Sequence, residues 1–102
     1  MNLIEIEPHF WELYQNGTEY YLSLAVDLSS VVSCWDIVLT QPEIIDYQTV
    51  GRDSIVILAN QYVAQLYRGD ATQLEQQAAS DSQKLAMLTA FKTWQAQQDS
   101  SI

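Results

Sequence analysis

Two hydrophobic periods divide the chain. Up to residue 39, apolar side chains recur at about every second position; beyond it they recur at every third or fourth. Ile4 and Ile6 alternate with Glu5 and Glu7, the pattern of a half-buried strand, and Pro8 keeps that strand short or puts it at a sheet edge. Phe10 to Tyr14 is aromatic and resumes the sheet. Asn16-Gly17 predicts a hairpin, because both residues tolerate positive φ. Within Glu19 to Asp27, the residues Tyr20, Leu22, Leu24 and Val26 share one face and are expected in the core. Glu19, Tyr21, Ser23, Ala25 and Asp27 are expected to face outward. Leu28-Ser29-Ser30 reads as a turn. Val31 to Leu39 reads as a further strand, with Val31, Trp35, Ile37 and Leu39 on one side and Val32, Cys34, Asp36 and Val38 on the other.

Thr40-Gln41-Pro42-Glu43 starts the helical part. Thr40 is placed to cap, Pro42 falls in the first turn, and Glu43 completes a capping box. Ile44, Ile45 and Tyr47 supply the apolar stripe, and Gly51 suits the C-terminal end. Asp53 or Ser54 is a candidate cap for a second helix. There Ile55, Leu58, Ala59, Tyr62, Val63 and Leu66 keep helical spacing, and Gly69 closes it. The run Ser54 to Leu58 also fits a buried strand, so Ser54–Leu66 carries both readings. Ala71–Ala79 and Ser82–Gln98 are rich in Ala, Gln and Leu, all good helix formers. Met87, Leu88, Phe91 and Trp94 form the last stripe, and residues 99–102 are expected to fray. There is no internal repeat. The order predicts a single α+β domain over residues 1–102. An N-terminal antiparallel sheet is followed by C-terminal helices on one of its faces, leaving the other face to water or a partner.

Charge turns attention to the surface. The 102 residues are 48% apolar and 17% charged, a globular composition, with a net charge of −9. Residues 1–51 hold eight acids and no Lys or Arg, whereas residues 52–102 hold five acids and all four bases. Such a balance argues against direct nucleic-acid binding, which needs a basic patch. The MNLIEIEPHF start has no basic residue, so no signal peptide is expected. The longest aliphatic run, Ile55 to Ala59, is too short to cross a bilayer. A cytoplasmic location is the default expectation.

Reactive constellations are scarce. His9 is the only histidine and Cys34 the only cysteine, so neither a thiolate cluster nor a Cys-His pair is expected. Glu5 and Glu7 form a carboxylate pair, but a small sheet leaves little room for a sugar cleft. No Gly-rich phosphate loop and no D-x-D-x-D-G calcium loop occurs. We expect no catalytic residue, no metal and no organic cofactor. Trp35 and Trp94 are expected in the core, while Tyr21 lies among outward acids, a combination suited to a basic protein surface.

The hairpin-forming sheet, then Trp35-Asp36-Ile37-Val38-Leu39-Thr40, Glu43, Tyr47, Gly51, Ile55 and Leu58-Ala59, resembles small bacterial immunity proteins over about residues 18–68. The resemblance implies a non-enzymatic inhibitor that binds and covers a basic toxin domain, often a nuclease. Two further classes fit the same charge, namely a phage DNA-mimic antagonist of a host nuclease and an acidic secretion chaperone, the latter usually a homodimer. For a basic partner, the expected contacts are Glu19, Tyr21, Asp27 and Asp36 on the outer sheet face, with Glu43 and Asp46 on the first helix. Glu75 and Asp99 are expected to matter little.

Overall fold

The computed structural model describes residues 1–28 and 31–99. Strands β1 (Asn2–Glu7), β2 (Trp11–Asn16), β3 (Glu19–Leu28) and β4 (Val31–Val38) form an antiparallel meander in chain order. Helices α1 (Gln41–Val50), α2 (Arg52–Tyr67), α3 (Thr72–Gln76) and α4 (Asp81–Asp99) follow. The α+β class and the strands-then-helices order are as predicted. Ser54–Leu66 lies within α2, which removes the strand alternative. Ser29 and Ser30 of the predicted turn, and residues 100–102 of the predicted frayed tail, lie outside the described residues.

Cross-strand pairing builds two unlike faces. Leu13, Leu22 and Ile37 form one row across β2, β3 and β4, and Trp11, Leu24 and Trp35 form the next. These rows meet Ile44, Ile55, Ala59, Tyr62, Leu66 and Leu74 from α1, α2 and α3 in the main core. The opposite face carries the row Leu3, Tyr14, Tyr21 and Val38. That row packs on Ala79, Met87, Ala90 and Phe91. Here the structure corrects the expectation of helices on a single face. Helix α4 crosses to the far side of the sheet, so the meander is covered on both sides. The physical reason is Tyr14 and Tyr21, two large rings side by side on that face, each only 2% exposed. Leaving them in water would forgo roughly 1.5–3 kcal/mol apiece.

Local chemistry explains the joints. Asn16 pairs with Glu19 in the ladder, so the hairpin loop is Gly17-Thr18, one residue later than Asn16-Gly17 suggests. Gly17 at φ 62 occupies its first position. In β1 the pairing steps from Leu3↔Tyr14 to Glu5↔Leu13, so Ile4 is the extra residue of a bulge and is exposed. The bulge sends Leu3 to the α4 side and Glu5 to the α2 side. Thr40 caps α1 through the predicted box: its backbone N–H donates to Glu43 Oε1 at 2.8 Å, and Glu43 N–H donates to Thr40 Oγ1 at 3.4 Å. Gly51, at φ 89 and ψ −150, ends α1 and caps α2 in one residue. It replaces the expected caps Asp53 and Ser54, and the Ser54 hydroxyl donates to the Gly51 carbonyl at 2.8 Å.

Two helical stripes also differ from expectation. In α1, Ile44 is buried and Ile45 is exposed. In α4, Met87 and Ala90 are buried while Leu88 is exposed. The small Ala90 lets the helix backbone approach the sheet, which the larger Leu88 would not. Ala71–Ala79, expected as one helix, forms only the short α3 before residues 77–79 straighten. The Val38 N–H donates to the Gln77 carbonyl at 2.7 Å, and the Ala79 N–H to the Asp36 carbonyl at 2.9 Å, making a single strand-like bridge at Ile37 and Ala78.

Candidate protein-interaction site

The six residues expected to contact a partner do not form one surface. Glu19, Tyr21, Asp27 and Asp36 belong to the α4 side of the sheet, and Glu43 and Asp46 to α1 on the opposite side. Tyr21 is the clear correction. It is buried beneath α4, and its hydroxyl donates to Glu19, so the ring is not available to a partner. Burial above all, and then Glu19, pushes its hydroxyl pKa up. Glu19 and Asp27 are exposed.

Asp36 is half-buried in a row with Ser23 and Glu12, so the two carboxylates flank one serine across three strands. Lys84, Met87 and Phe91 of α4 close over this hollow. Desolvation raises the Glu12 pKa, the Tyr14 hydroxyl at 3.3 Å opposes that rise, and the Asp36 charge adds to it. The pair is therefore enclosed rather than presented.

Glu43 is tied into a polar network between α1, α2, α3 and β4. The Tyr62 hydroxyl donates to Glu43 Oε2, and Gln77 Nε2 donates to Glu43 Oε1 at 2.9 Å and to the Val38 carbonyl at 3.0 Å. Gln65 Nε2 donates to Gln73 Oε1 at 3.2 Å, and Gln73 Nε2 donates to the Tyr62 hydroxyl at 3.2 Å. The Tyr62 hydroxyl also lies 3.0 Å from Gln77 Oε1, so the two arms of the network meet at Glu43 and Gln77, and successive bonds polarise one another. Burial, and then the Glu43 carboxylate, pushes the Tyr62 hydroxyl well above its ordinary pKa.

The open surface lies beside that network. Because Gly51 turns the chain sharply, α1 and α2 run as a corner with a groove of about 220 Å³ between them. Glu43, Asp46 and Val50 line it from α1, at helical spacing. Ser54, Ile57 and Leu58 line it from α2. Asp46 is exposed, and Val50 and Ile57 are 62% and 60% exposed. Asp53, also exposed, adds a further acid in the first turn of α2. Of the six expected contacts, Glu43 and Asp46 line this groove; Val50 and Ile57, which line it with them, were not among the six. The available signal was that Val50 and Ile57 are aliphatic yet fall off the buried stripes.

The adjacent cation is fully engaged. The Arg52 guanidinium bonds Glu7 Oε2 at 2.8 Å, the Ile6 carbonyl at 3.0 Å and Glu5 Oε1 at 3.4 Å, and lies 4.7 Å from the Trp11 ring centre. The Tyr47 hydroxyl also donates to Glu5, at 2.9 Å; burial, and then this bond, pushes its pKa up to about 12. The carboxylate pair Glu5 and Glu7 thus anchors β1 to α2.

His9 sits in the β1–β2 turn with φ 66, and both His9 and Cys34 are exposed. Among the described residues, no three His, Cys, Asp or Glu side chains are grouped to hold a metal ion, and no helix is long and apolar enough to cross a membrane. Comparison with protein-family models, curated proteins and solved structures finds no match.

Proposed function

We propose that the chain is a non-enzymatic, immunity-type inhibitor whose α1–α2 face receives a basic toxin domain. One observation carries the reading: open aliphatic side chains, Val50 and Ile57, share a groove with the exposed Asp46, while the adjacent base, Arg52, is held by Glu5 and Glu7. A nuclease-like partner keeps a cationic groove for phosphate, and an acidic face meets it by charge. Steering of this kind raises association rates by roughly 10- to 1,000-fold at low salt. Burial of Val50 and Ile57 then slows dissociation, a term that salt leaves largely intact. A bacterial, cytoplasmic setting and binding without direct nucleic-acid contact belong to the same proposal.

The test is stopped-flow association with the partner recovered from source cells by pull-down, across a salt series. Asp46→Lys with Asp53→Lys is expected to slow association by about tenfold or more at low salt and flatten its salt dependence. Val50→Ser with Ile57→Ser is expected to speed dissociation with little change in association. Kinetics indifferent to all four substitutions would overturn the reading.

A further inference from the structure

The free edge of the sheet carries a second contact. Ile37 of β4 and Leu39 just beyond it bond inward to β3, so Asp36 and Val38 turn their backbone groups outward. The alternation continues along the strand. Cys34 and Val32 therefore also present N–H and C=O groups to the edge, as does the Asp36 N–H. The chain uses this edge only at one end. Residues 77–79 pair there through Val38 N–H and Asp36 C=O, and stop because Ser80 turns away to begin α4, its N–H donating to Gln83 at 2.8 Å. Among the described residues, nothing pairs with the outward backbone groups of Val32 and Cys34, or with the Asp36 N–H. Val32 is 64% exposed in the same stretch, and the half-buried Trp35 keeps an indole N–H without an acceptor.

We infer that residues 32–36 accept an extended segment of the basic partner as a fifth strand, continuing the line that residues 77–79 begin. The inference rests on the proposed basic-partner reading and adds the mode of contact. An edge of this kind binds by main-chain hydrogen bonds and selects by alternate side chains. The charge selects cationic ones, since the exposed Asp27 is paired with Val32, on the face that Cys34 shares, and β1 to β4 contain no Lys or Arg. A second copy of this chain would bring the same acids against each other, at net charge −9 per chain.

The test uses the full chain, with amide exchange and chemical shifts read by NMR. The probe is a blocked eight-residue peptide of alternating Lys and Val, with an otherwise identical Glu-Val peptide as control. With the Lys-Val peptide at about ten times its dissociation constant, the amides of Val32, Cys34 and Asp36 are expected to exchange about tenfold more slowly. The Glu-Val peptide is expected to leave them unchanged. Cys34→Pro removes one outward N–H without removing a β3–β4 bond and is expected to abolish the protection; Cys34→Ser keeps it. Perturbation confined to Asp46 and Ile57 would overturn the edge contact while supporting the groove. No perturbation, equal protection by both peptides, or protection that grows with protein concentration alone would each overturn it. The kinetics of the Asp46 and Asp53 variants judge the groove separately.

Discussion

Removing the Tyr62 hydroxyl tests whether Glu43 belongs to the fold or to the binding surface. In Tyr62→Phe the ring keeps its place in the core, so the hydrophobic contribution is nearly conserved. What disappears is the hydroxyl shared between Glu43 Oε2 and Gln77 Oε1, and with it the acceptor for Gln73 Nε2. Glu43 Oε1 retains the Thr40 N–H and Gln77 Nε2, whereas Oε2 has no other partner among the described contacts. A hydrogen bond to a charged group contributes about 1.5–3 kcal/mol, and Glu43 is half-buried, so water recovers part of the loss. We expect a destabilisation of about 2 kcal/mol. With a urea m-value of about 1–3 kcal/mol/M, the midpoint falls by roughly 0.7–2 M at unchanged m. A cycle with Glu43→Gln should show a coupling of about 1 kcal/mol, since the two groups are in direct contact. A change below about 0.5 kcal/mol, the range of ordinary surface substitutions, would refute the argument and return Glu43 to the partner-facing acids.

Three further outcomes follow from the packing. Glu12 has a raised folded-state pKa, so its ionisation opposes folding; Glu12→Gln should stabilise the protein at pH 7, with the gain vanishing as pH falls below the usual carboxylate range in urea titrations at several pH values. Met87→Ala should cost about 2–4 kcal/mol in thermal unfolding, because this side chain fills the layer over Tyr14 and Tyr21. Gly51→Ala should cost about 1–3 kcal/mol although a Cβ there would touch nothing, because φ 89 with ψ −150 is a glycine conformation; a neutral result by denaturation would contradict that assignment.

The strand faces of β3 and β4 were legible because a period of two leaves only one choice once Leu22, Leu24 and Ile37 are placed in the core. The capping box at Thr40 was legible because its chemistry is confined to four neighbouring residues. The β1 bulge was not, since Ile4 becomes the extra residue only through pairing with Leu13 and Tyr14 on another strand. Nor was the side taken by α4, although Tyr21 was a clue: a large ring on an outward face implies a cover. Leu88 outranks Ala90 in hydrophobicity, yet close helix–sheet approach favours the smaller residue. For the candidate site, the acids were legible one at a time from the lack of bases before Arg52. Which of them share a surface depended on the sheet lying between α1 and α4, a relation no local pattern encodes.

The contact of α4 with β1 brings the first strand and the last helix into one layer, with Met1 and Leu3 beside Met87 and Phe91. Every other strand neighbour in the meander is also a neighbour in sequence. Closing α4 onto β1 therefore spans the largest loop in the molecule, and loop closure is the entropic toll that slows non-local pairing. The meander pairs only consecutive strands and α1 packs on α2, so we expect the α4 layer to close after these have formed. Weakening that layer then leaves the folding rate almost unchanged and appears as faster unfolding. Met87→Ala is thus expected to shorten the lifetime of the native state at the seam between its first strand and its last helix, which stopped-flow unfolding would read.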